Sequence, residues 1–391
     1  MAYVIVAAAP LPVAGCATPV SVPAQPMTEQ PHSPRAAARP PRRDPRKDAI
    51  VPTESETRPT HGQADAQVVS QALAEAATAA GCAPSIHNTQ PWRWRLTGDQ
   101  MDLYVERSRV LEVTDPDTRL ATLSCGAALH HARVSLAAQG WRATVTRMPD
   151  RGDPDHLARL RVDGPAPTPV EPLTVRRAQT IRLRHSDRRP VTGTPVGPDD
   201  LAAITTAVEA EGTWLHLLRP DQVLDLAAAA DHAQRTEAAD SAWQTELAYW
   251  TGGTRPTRSG IPDAAIPHHP SQGTVPGRDF GHHGDLPVGA ADGQAAAFVI
   301  LYGPGDTAVD WLRAGEALSA GWLTATELGV SVLPLSATIE IAATRQALRV
   351  LLASRGRPYL VLRLGTTNPD DPGPPPTPRL PADQTIDRPP S

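Results

Sequence analysis

The chain has 391 residues and a formal net charge of −5, with 37 basic and 42 acidic side chains. A chain of this length can bury a sizeable core and ordinarily forms two domains or one large duplicated unit. Its charge gives no basic surface for nucleic acid, and no apolar run reaches the roughly 18 residues that a membrane helix needs. Its three cysteines are too scattered for a disulfide framework or a zinc site. We therefore expect a cytoplasmic protein that binds neither nucleic acid nor membrane.

The N-terminal segment differs in composition from the rest of the chain. It is rich in Pro, Arg, Ser and Thr and holds few large apolar side chains, so it cannot bury enough surface to offset the entropy of ordering. We expect a disordered extension over 1–61. The sequence "VAGC" at 13–16 resembles a lipoprotein cleavage box, but no Lys or Arg precedes its short apolar core. The other interpretation is a translation start at Met27.

The folded region is predicted to begin near residue 62 with a helix, a hairpin, a second helix and two more strands. Apolar residues at helical spacing in "VVSQALAEAATAA" indicate a helix that ends at Gly81. The alternating "WRWRL" and "MDLYVE" indicate strands joined by the turn "TGDQ". A long helix of small residues then runs to Gly140, before the strands "RATVTRM" and "LARLRV". The pattern is α+β, with hairpin strands packed on helices.

The second predicted helix has a counterpart near the end of the chain. Without a gap, "SCGAALHHARVSLAAQGW" and "RAGEALSAGWLTATELGV" align so that Gly126 matches Gly315. Because glycine costs about 1 kcal/mol inside a helix, a shared glycine predicts a point of close helix approach. We interpret the chain as two copies of one fold, over 62–165 and 174–391. Coincidence among alanine-rich helices is the alternative.

The first copy carries a polar loop that the second lacks. In "GCAPSIHNTQPWRWRL", small hydrogen-bonding side chains lie between Pro84 and Pro91, and each proline restricts its own backbone and the residue before it. The segment is therefore a shaped loop that can present polar groups to a planar ligand. An ordinary helix-to-strand connection whose polar residues cap the ends is the alternative.

The second copy carries an arginine motif that the first lacks. Arg184, Ser186 and Arg188 alternate along "RHSDR", so an extended backbone points all three side chains to one side. Guanidinium groups flanking a hydroxyl are the charge-assisted donors that a phosphate monoester requires. A solvated basic turn is the alternative interpretation.

Four motifs in this order resemble those of the FMN-dependent nitroreductases. "RHSDR" is similar to their Arg-x-Ser-x-Arg phosphate motif, and "PSIHNTQPW" is similar to their flavin loop. "VLPLSA" at 332–337 resembles the backbone loop beside flavin N5, and "PTPRLP" resembles a terminal phosphate-binding segment. The match is closest to the actinobacterial Acg-like branch, whose chains are internally duplicated. Over 62–385, the resemblance implies a nitroreductase-like fold duplicated within one chain, a pseudo-dimer of two α/β sandwich halves.

The resemblance also implies one FMN site per chain, formed by the phosphate motif of the second copy and the flavin loop of the first. The hydride passes through flavin N5, so no catalytic side chain is required. Because the pseudo-dimer buries the family's usual interface, we expect a monomer. The residues assigned to cofactor binding are Pro84, Ser85, Asn88, Gln90, Arg184, Ser186, Arg188, Pro334, Leu335, Ser336 and Arg379.

A long segment over 250–290 interrupts the second copy. Connections of this length are usually lids or disordered insertions, and the resemblance implies a lid over the flavin. The segment contains two adjacent histidine pairs, but they lack the spacing that aims ligands at one ion, so we expect no metal. The histidines are His268, His269, His282 and His283.

Two functions remain open at this stage. The first is an FMN oxidoreductase that uses NAD(P)H to reduce nitroaromatics or quinones in a ping-pong cycle. The second is a flavin-binding or flavin-sequestering protein in which a closed lid leaves little turnover. Reduction of the flavin by NAD(P)H distinguishes the two.

Overall fold

The computed structural model describes residues 61–191, 193–251, 258–269, 273–287, 295–368 and 373–388. These residues lie in one unit that runs from Arg58 to Ser391. The predicted extension, except its last residue, and parts of the predicted lid lie outside the described residues. None of the helices described is both long and apolar enough to cross a membrane.

The first copy contains two helices and four strands in the order that the sequence predicts. Its hairpin turns at Gly98, whose φ of +60° is a left-handed conformation that suits glycine. Trp92 and Trp94 are fully buried on one face of the first strand, which explains the alternation in "WRWRL". The elements are α1 (His61–Ala80), β1 (Trp92–Thr97), β2 (Gln100–Val105), α2 (Arg119–Ala138), β3 (Trp141–Arg147) and β4 (His156–Pro165).

The second copy repeats this order with additional helices. Its first elements are α3 (Pro172–Leu183), α4 (Pro198–Glu209), β5 (Trp214–Leu217), α5 (Pro220–Ala239) and α6 (Ser241–Thr251). They are followed by β6 (Ala297–Gly303), α7 (Ala308–Glu327), β7 (Ser331–Leu335), α8 (Ala337–Glu340), α9 (Ala342–Leu351) and β8 (Arg357–Gly365). A short β9 (Ile386–Asp387) ends the described chain.

The two sheets share one strand order, which confirms the duplicated fold. The first sheet runs β3-β4-β2-β1-β9, and the second runs β7-β8-β6-β5. Helix α1 packs on α2 in the first copy, as α4 packs on α7 in the second. Strand β9 pairs in parallel with β1, at Trp94 and Ile386. The C-terminal arm that we assigned to the second copy therefore completes the sheet of the first.

Helices α2 and α7 meet at the two glycines that the sequence alignment matched. A Cβ atom added to Gly126 would overlap the carbonyl oxygen of Leu312, and one added to Gly315 would overlap that of Leu123. The backbones are therefore too close for any side chain at either position. This confirms the predicted close approach, which lies between the two copies.

The predicted lid is inserted between two strands that form a hairpin in the first copy. Strands β1 and β2 are joined by a turn, whereas their counterparts β5 and β6 are separated by 218–296. Within the described part of this insertion, Leu247, Ile266 and Phe280 belong to a small apolar cluster of its own. A backbone hydrogen bond also joins the Leu286 N–H to the carbonyl oxygen of Ile266. The insertion therefore has internal packing, not only loop structure.

Candidate functional site

A cavity of about 430 Å³ is lined by residues of both copies and of the lid segment. Small-molecule sites usually have volumes of roughly 300 to 1,000 Å³. The cavity wall includes the loop after α1, the extended segment after α3, the end of β7 and the C-terminal arm. Ten of the eleven predicted site residues line it: Pro84, Ser85, Asn88, Arg184, Ser186, Arg188, Pro334, Leu335, Ser336 and Arg379.

The loop between the two prolines has an unusual backbone. His87, Asn88 and Gln90 have φ values of 45°, 54° and 54°, in the left-handed region that few residues other than glycine adopt. The hydroxyl of Ser85 accepts a hydrogen bond from the Gln90 N–H at 3.0 Å, and the hydroxyl of Ser124 accepts one from the Ile86 N–H at 3.2 Å. These bonds stabilise the tight turn that the two prolines predict.

Asn88 joins three parts of the chain at the cavity wall. Its Nδ2 donates to the carbonyl oxygens of Gly260 at 2.9 Å and Pro378 at 3.0 Å. Its Oδ1 accepts from Nη1 of Arg379 at 2.8 Å. Both amide hydrogens are therefore used within the protein, and its side chain can offer a ligand only the second lone pair of Oδ1.

Gln90 is the predicted site residue that the cavity lining does not include. Its side chain is fully buried, and its Nε2 donates to the carbonyl oxygen of Arg258 at 2.9 Å. Its Oε1 accepts from the Leu380 N–H at 2.8 Å. Gln90 therefore joins the loop to the lid segment and to the C-terminal arm by hydrogen bonds, and it does not line the cavity.

Two arginines from distant parts of the sequence meet at one end of the cavity. Nη2 of Arg184 and Nη2 of Arg379 donate to the same carbonyl oxygen, that of Cys82, at 3.2 and 3.3 Å. Arg184 also lies over the ring of Trp322, at 4.6 Å from its centroid. In both arginines Nε is buried with no hydrogen-bond partner. Neither makes an ion pair with a carboxylate in the described part of the chain.

The charge of these two arginines is not balanced by the protein residues around them. Burial, together with the neighbouring Arg379, lowers the pKa of Arg184 to about 9. Burial also lowers the pKa of Arg379. A guanidinium nevertheless stays protonated in proteins, so its enclosure costs free energy unless an anion lies beside it. This end of the cavity is therefore suited to a phosphate group.

Arg188 lies in a separate cationic region of the same cavity. Its Nη1 donates to the carbonyl oxygen of Ala265 at 3.2 Å, and its guanidinium lies 5.5 Å from the ring centroid of Phe280. Burial, with Arg278 and Arg363 nearby, lowers the pKa of Arg188 to about 10.

The sequence grouped Arg188 with Arg184 because the two residues share one side of the strand-like segment. The structure places both on the cavity, but with different neighbours. Besides burial, the cation that lowers the pKa of Arg184 is Arg379, whereas those that lower the pKa of Arg188 are Arg278 and Arg363. The alternation predicts the shared side correctly and does not predict a shared ligand group.

Arg278 attaches the lid to the second copy. Its Nη2 donates to both carboxylate oxygens of Glu340 at 2.7 and 2.6 Å, and its Nη1 donates to Glu237 at 3.2 Å. All three side chains are buried or nearly so. Sequence reasoning missed this triad. The sequence did contain a signal for it, because Arg278 is the one Lys or Arg between Arg258 and Arg313.

His87 is another lining residue that sequence reasoning did not select. It is 7% exposed, and its Nε2 is buried with no hydrogen-bond partner. Burial, followed by the nearby cations Arg278 and Arg188, lowers the pKa of His87 well below its ordinary range. The imidazole is therefore neutral at physiological pH.

The lid histidines interact with one another and with the lid backbone. The rings of His268, His269 and His283 lie 4.6 to 5.9 Å apart between centroids. Nε2 of His282 lies 3.0 Å from Oδ1 of Asp263. Within the described ranges, no three His, Cys, Asp or Glu side chains converge as metal ligands do.

Comparison with known proteins identifies relatives along most of the chain, although no family model matches it. The chain is 37% identical over 330 residues to "Putative NAD(P)H nitroreductase Rv3131" of Mycobacterium tuberculosis, covering 83% of this chain and 92% of that one. It is 33% identical over 324 residues to "Putative NAD(P)H nitroreductase acg" of the same organism, covering 82% and 97%.

Solved structures with low overall similarity each align with about half of the chain. An FMN-bound nitroreductase from Bacteroides fragilis aligns at a TM-score of 0.31 and 16% identity, covering 50% of this chain and 90% of that one. The FMN and NADPH-dependent nitroreductase NfnB from Sphigopyxis sp. strain HMH aligns at a TM-score of 0.35 and 15% identity, covering 54% and 97%.

Proposed function

Because this chain belongs to the Acg-like branch of the nitroreductase family, we propose that it is an FMN-binding oxidoreductase that takes electrons from NAD(P)H. Its partners would be small molecules, nitroaromatics or quinones, and the protein would act as a cytoplasmic monomer. The observation that carries the proposal is the pair of enclosed guanidiniums, Arg184 and Arg379, which share one carbonyl oxygen and have an unpartnered Nε each.

The cavity residues fit the two chemical parts of FMN. Arg184 and Arg379 would hold the phosphate, with Ser186 between them and the ring site. Arg188 would lie at the polar edge of the ring, where a fixed positive charge favours the electron-rich reduced form. Pro334, Leu335 and Ser336, at the end of β7, would border the reactive N5 edge.

The protein's contribution to catalysis would be binding, orientation and electrostatics. FMN, when bound, supplies hydride transfer through N5 in a ping-pong cycle. The half-buried end of β7 and the loop from Pro84 would hold the ring from the two copies. The lid would exclude water from the ring, and no side chain is needed as a general acid or base.

The closed lid favours a second candidate function, the sequestering of flavin with little turnover. Ile266, Arg278 and Phe280 of the lid line the same cavity as the predicted FMN residues. Gly260 is bound to Asn88 through both its N–H and its carbonyl group, at 3.2 and 2.9 Å. A lid held in this way would keep nicotinamide from stacking on the ring.

Anaerobic reduction of the purified protein tests both functions. We expect one FMN per chain in the denatured supernatant, and reduction by NADH or NADPH on the order of 1 to 1000 per second. The control is a variant in which a short Gly/Ser turn replaces 258–287. If NAD(P)H reduces the flavin of the variant but not that of the intact protein, the lid sequesters the flavin. If dithionite reduces the flavin of both proteins while NAD(P)H reduces neither, the oxidoreductase gives way to flavin binding without a nicotinamide site. Two flavins per chain, or none in a folded sample, would contradict both functions.

A further inference from the structure

We propose that His87 is a ligand-contacting residue, whose Nε2 hydrogen bonds the carbonyl-rich edge of the bound flavin ring. The inference rests on the proposed FMN site and assigns a contact to a position of the flavin loop that is not among the residues assigned to cofactor binding. Three independent features of the described structure lead to it: the backbone of His87, its unpartnered nitrogen and its charged neighbours.

The backbone of His87 is held in a costly conformation. Its φ of 45° and ψ of 26° lie in the left-handed region, and Asn88 beside it is left-handed as well. Residues kept in such conformations are found at binding sites, where the surrounding structure holds them. Here the surrounding structure acts through the neighbouring Asn88, whose side chain hydrogen bonds to Gly260 of the lid and to Arg379. The conformation places the imidazole in the cavity wall.

The Nε2 atom of His87 needs a hydrogen-bond partner that the described protein residues do not supply. Buried polar side-chain atoms without a partner are rare in native proteins, and each requires an explanation. Nε2 of His87 is buried, and the residue lines the cavity of about 430 Å³. A ligand in that cavity is the simplest group that can complete the bond.

The charges around His87 select the chemistry of this ligand group. Besides burial, the cations that lower the pKa of His87 are Arg278 from the lid and Arg188 from the segment after α3, not the pair Arg184 and Arg379. A neutral imidazole that carries its proton on Nε2 can donate it to an oxygen or nitrogen with partial negative charge, which the two cations also attract. The pyrimidine edge of a flavin presents such atoms, and the phosphate would lie with the other pair. His87 therefore contacts the ring.

Two variants of the full-length protein separate this role from a structural one. In His87→Gly the left-handed backbone is relaxed and the imidazole is lost. We expect its apoprotein to melt no lower than the wild type, while FMN and riboflavin both bind about three- to tenfold more weakly. In His87→Gln an amide N–H restores part of the contact, so the loss is smaller for both ligands. Thr89→Val is the matched control, because Thr89 is buried in the same loop but does not line the cavity.

The affinities are measured by quenching of flavin fluorescence on titration with apoprotein. Equal loss for FMN and riboflavin supports a contact to the ring, since riboflavin has no phosphate. Unchanged affinity for both flavins would overturn the inference, whatever the turnover with a nitroaromatic or quinone, because His87 would then contact the second substrate or nothing. A lower melting temperature of the His87→Gly apoprotein would overturn it as well. A wild-type protein that binds neither flavin would refute the proposed function and this contact together.

Discussion

At the scale of single residues, the two cationic regions of the cavity would, under the proposed function, contact different parts of FMN. Arg184 and Arg379 converge on the Cys82 carbonyl oxygen, whereas Arg188 contacts the lid at Ala265. A hydrogen bond to a charged group contributes about 1.5 to 3 kcal/mol, so each arginine has a measurable effect. The choice of ligand shows which part of FMN each one meets.

Replacement of Arg184 is expected to weaken FMN and spare riboflavin. Arg184→Ala should lower FMN affinity about ten- to a hundredfold, because a charge-assisted bond to the phosphate is lost. Arg188→Ala should weaken FMN and riboflavin by similar factors, because its partner is the ring. Arg182→Ala, an exposed position on α3, is the control. Fluorescence titration measures all four proteins. If Arg184→Ala loses affinity for FMN and for riboflavin by the same factor relative to wild type, the assignment of Arg184 to the phosphate is wrong.

The same residues show which features of the site local sequence patterns can predict and which they cannot. The alternation of Arg184, Ser186 and Arg188 predicts that they share one side, and all three line the cavity. The partners of Asn88 were not predictable, because Gly260 and Pro378 lie 172 and 290 residues away. No local rule of backbone geometry carries information over such separations. The glycine pair was predictable because repetition brings distant helices into one alignment.

At the scale of elements, the crossing of α2 and α7 and the attachment of the lid are the two contacts with sharp consequences. The crossing depends on Gly126 and Gly315, which leave no room for a side chain. The lid attachment depends on Arg278 between the buried carboxylates of Glu237 and Glu340. The sequence predicts the first contact through its repeat. It does not predict the second, since Glu237 and Glu340 are ordinary acidic residues of helices until the lid covers them.

A methyl group at the helix crossing is expected to destabilise the whole fold. Gly126→Ala should lower the free energy of unfolding by about 1 to 3 kcal/mol, because the added Cβ overlaps the carbonyl oxygen of Leu312 and the two helices must separate. Gly193→Ala is the control, since an added Cβ there meets no atom within 4 Å. It should change stability by no more than about 0.5 kcal/mol. Urea unfolding measures the loss of stability in each variant. Equal losses would show that the two helices can separate at little cost in free energy, which would contradict the prediction.

The lid triad is expected to make stability depend on pH. Burial, with Glu340 adding to it and Arg278 opposing it, raises the pKa of Glu237 to about 7. The folded chain therefore holds a proton that the unfolded chain releases near pH 4.5. The stability that this group contributes is complete below that pH and is lost as the pH rises through 7.

Removal of this proton site tests the assignment. In Glu237→Gln the loss at higher pH is abolished, so the variant should gain stability relative to wild type between pH 5 and 8. We expect a relative gain on the order of 1 kcal/mol or more, because one pKa unit corresponds to about 1.4 kcal/mol. The pKa of Asp115, which burial also raises to about 7, is common to both proteins and cancels in the comparison. Urea unfolding measures the free energy of unfolding of both proteins at pH 5 and at pH 8. If the difference between the two proteins is the same at both pH values, the prediction is wrong.

At the scale of the whole molecule, two copies of one fold have acquired different interiors. Trp322, seven residues after Gly315, lies under Arg184 in the cavity wall. Arg133, seven residues after Gly126, instead pairs with Glu316 and Glu211 at 2.8 and 2.7 Å. Glu316 is fully buried and also binds Arg147 at 2.6 Å. In the first copy, the position that corresponds to Trp322 is thus occupied by an ion-pair network around the buried Glu316.

The path of the C-terminal arm has a consequence for how the protein is made. Arg379 reaches the Cys82 carbonyl oxygen at the proposed phosphate site, and β9 adds the edge strand to the sheet that contains β1. During synthesis N-terminal regions fold first, so the first copy emerges from the ribosome without its edge strand. The cavity acquires Arg379 only when the segment that carries this residue has left the ribosome. Loading of the cofactor would therefore wait for the synthesis of this segment, and a chain that terminates before Arg379 would lack part of the proposed phosphate site.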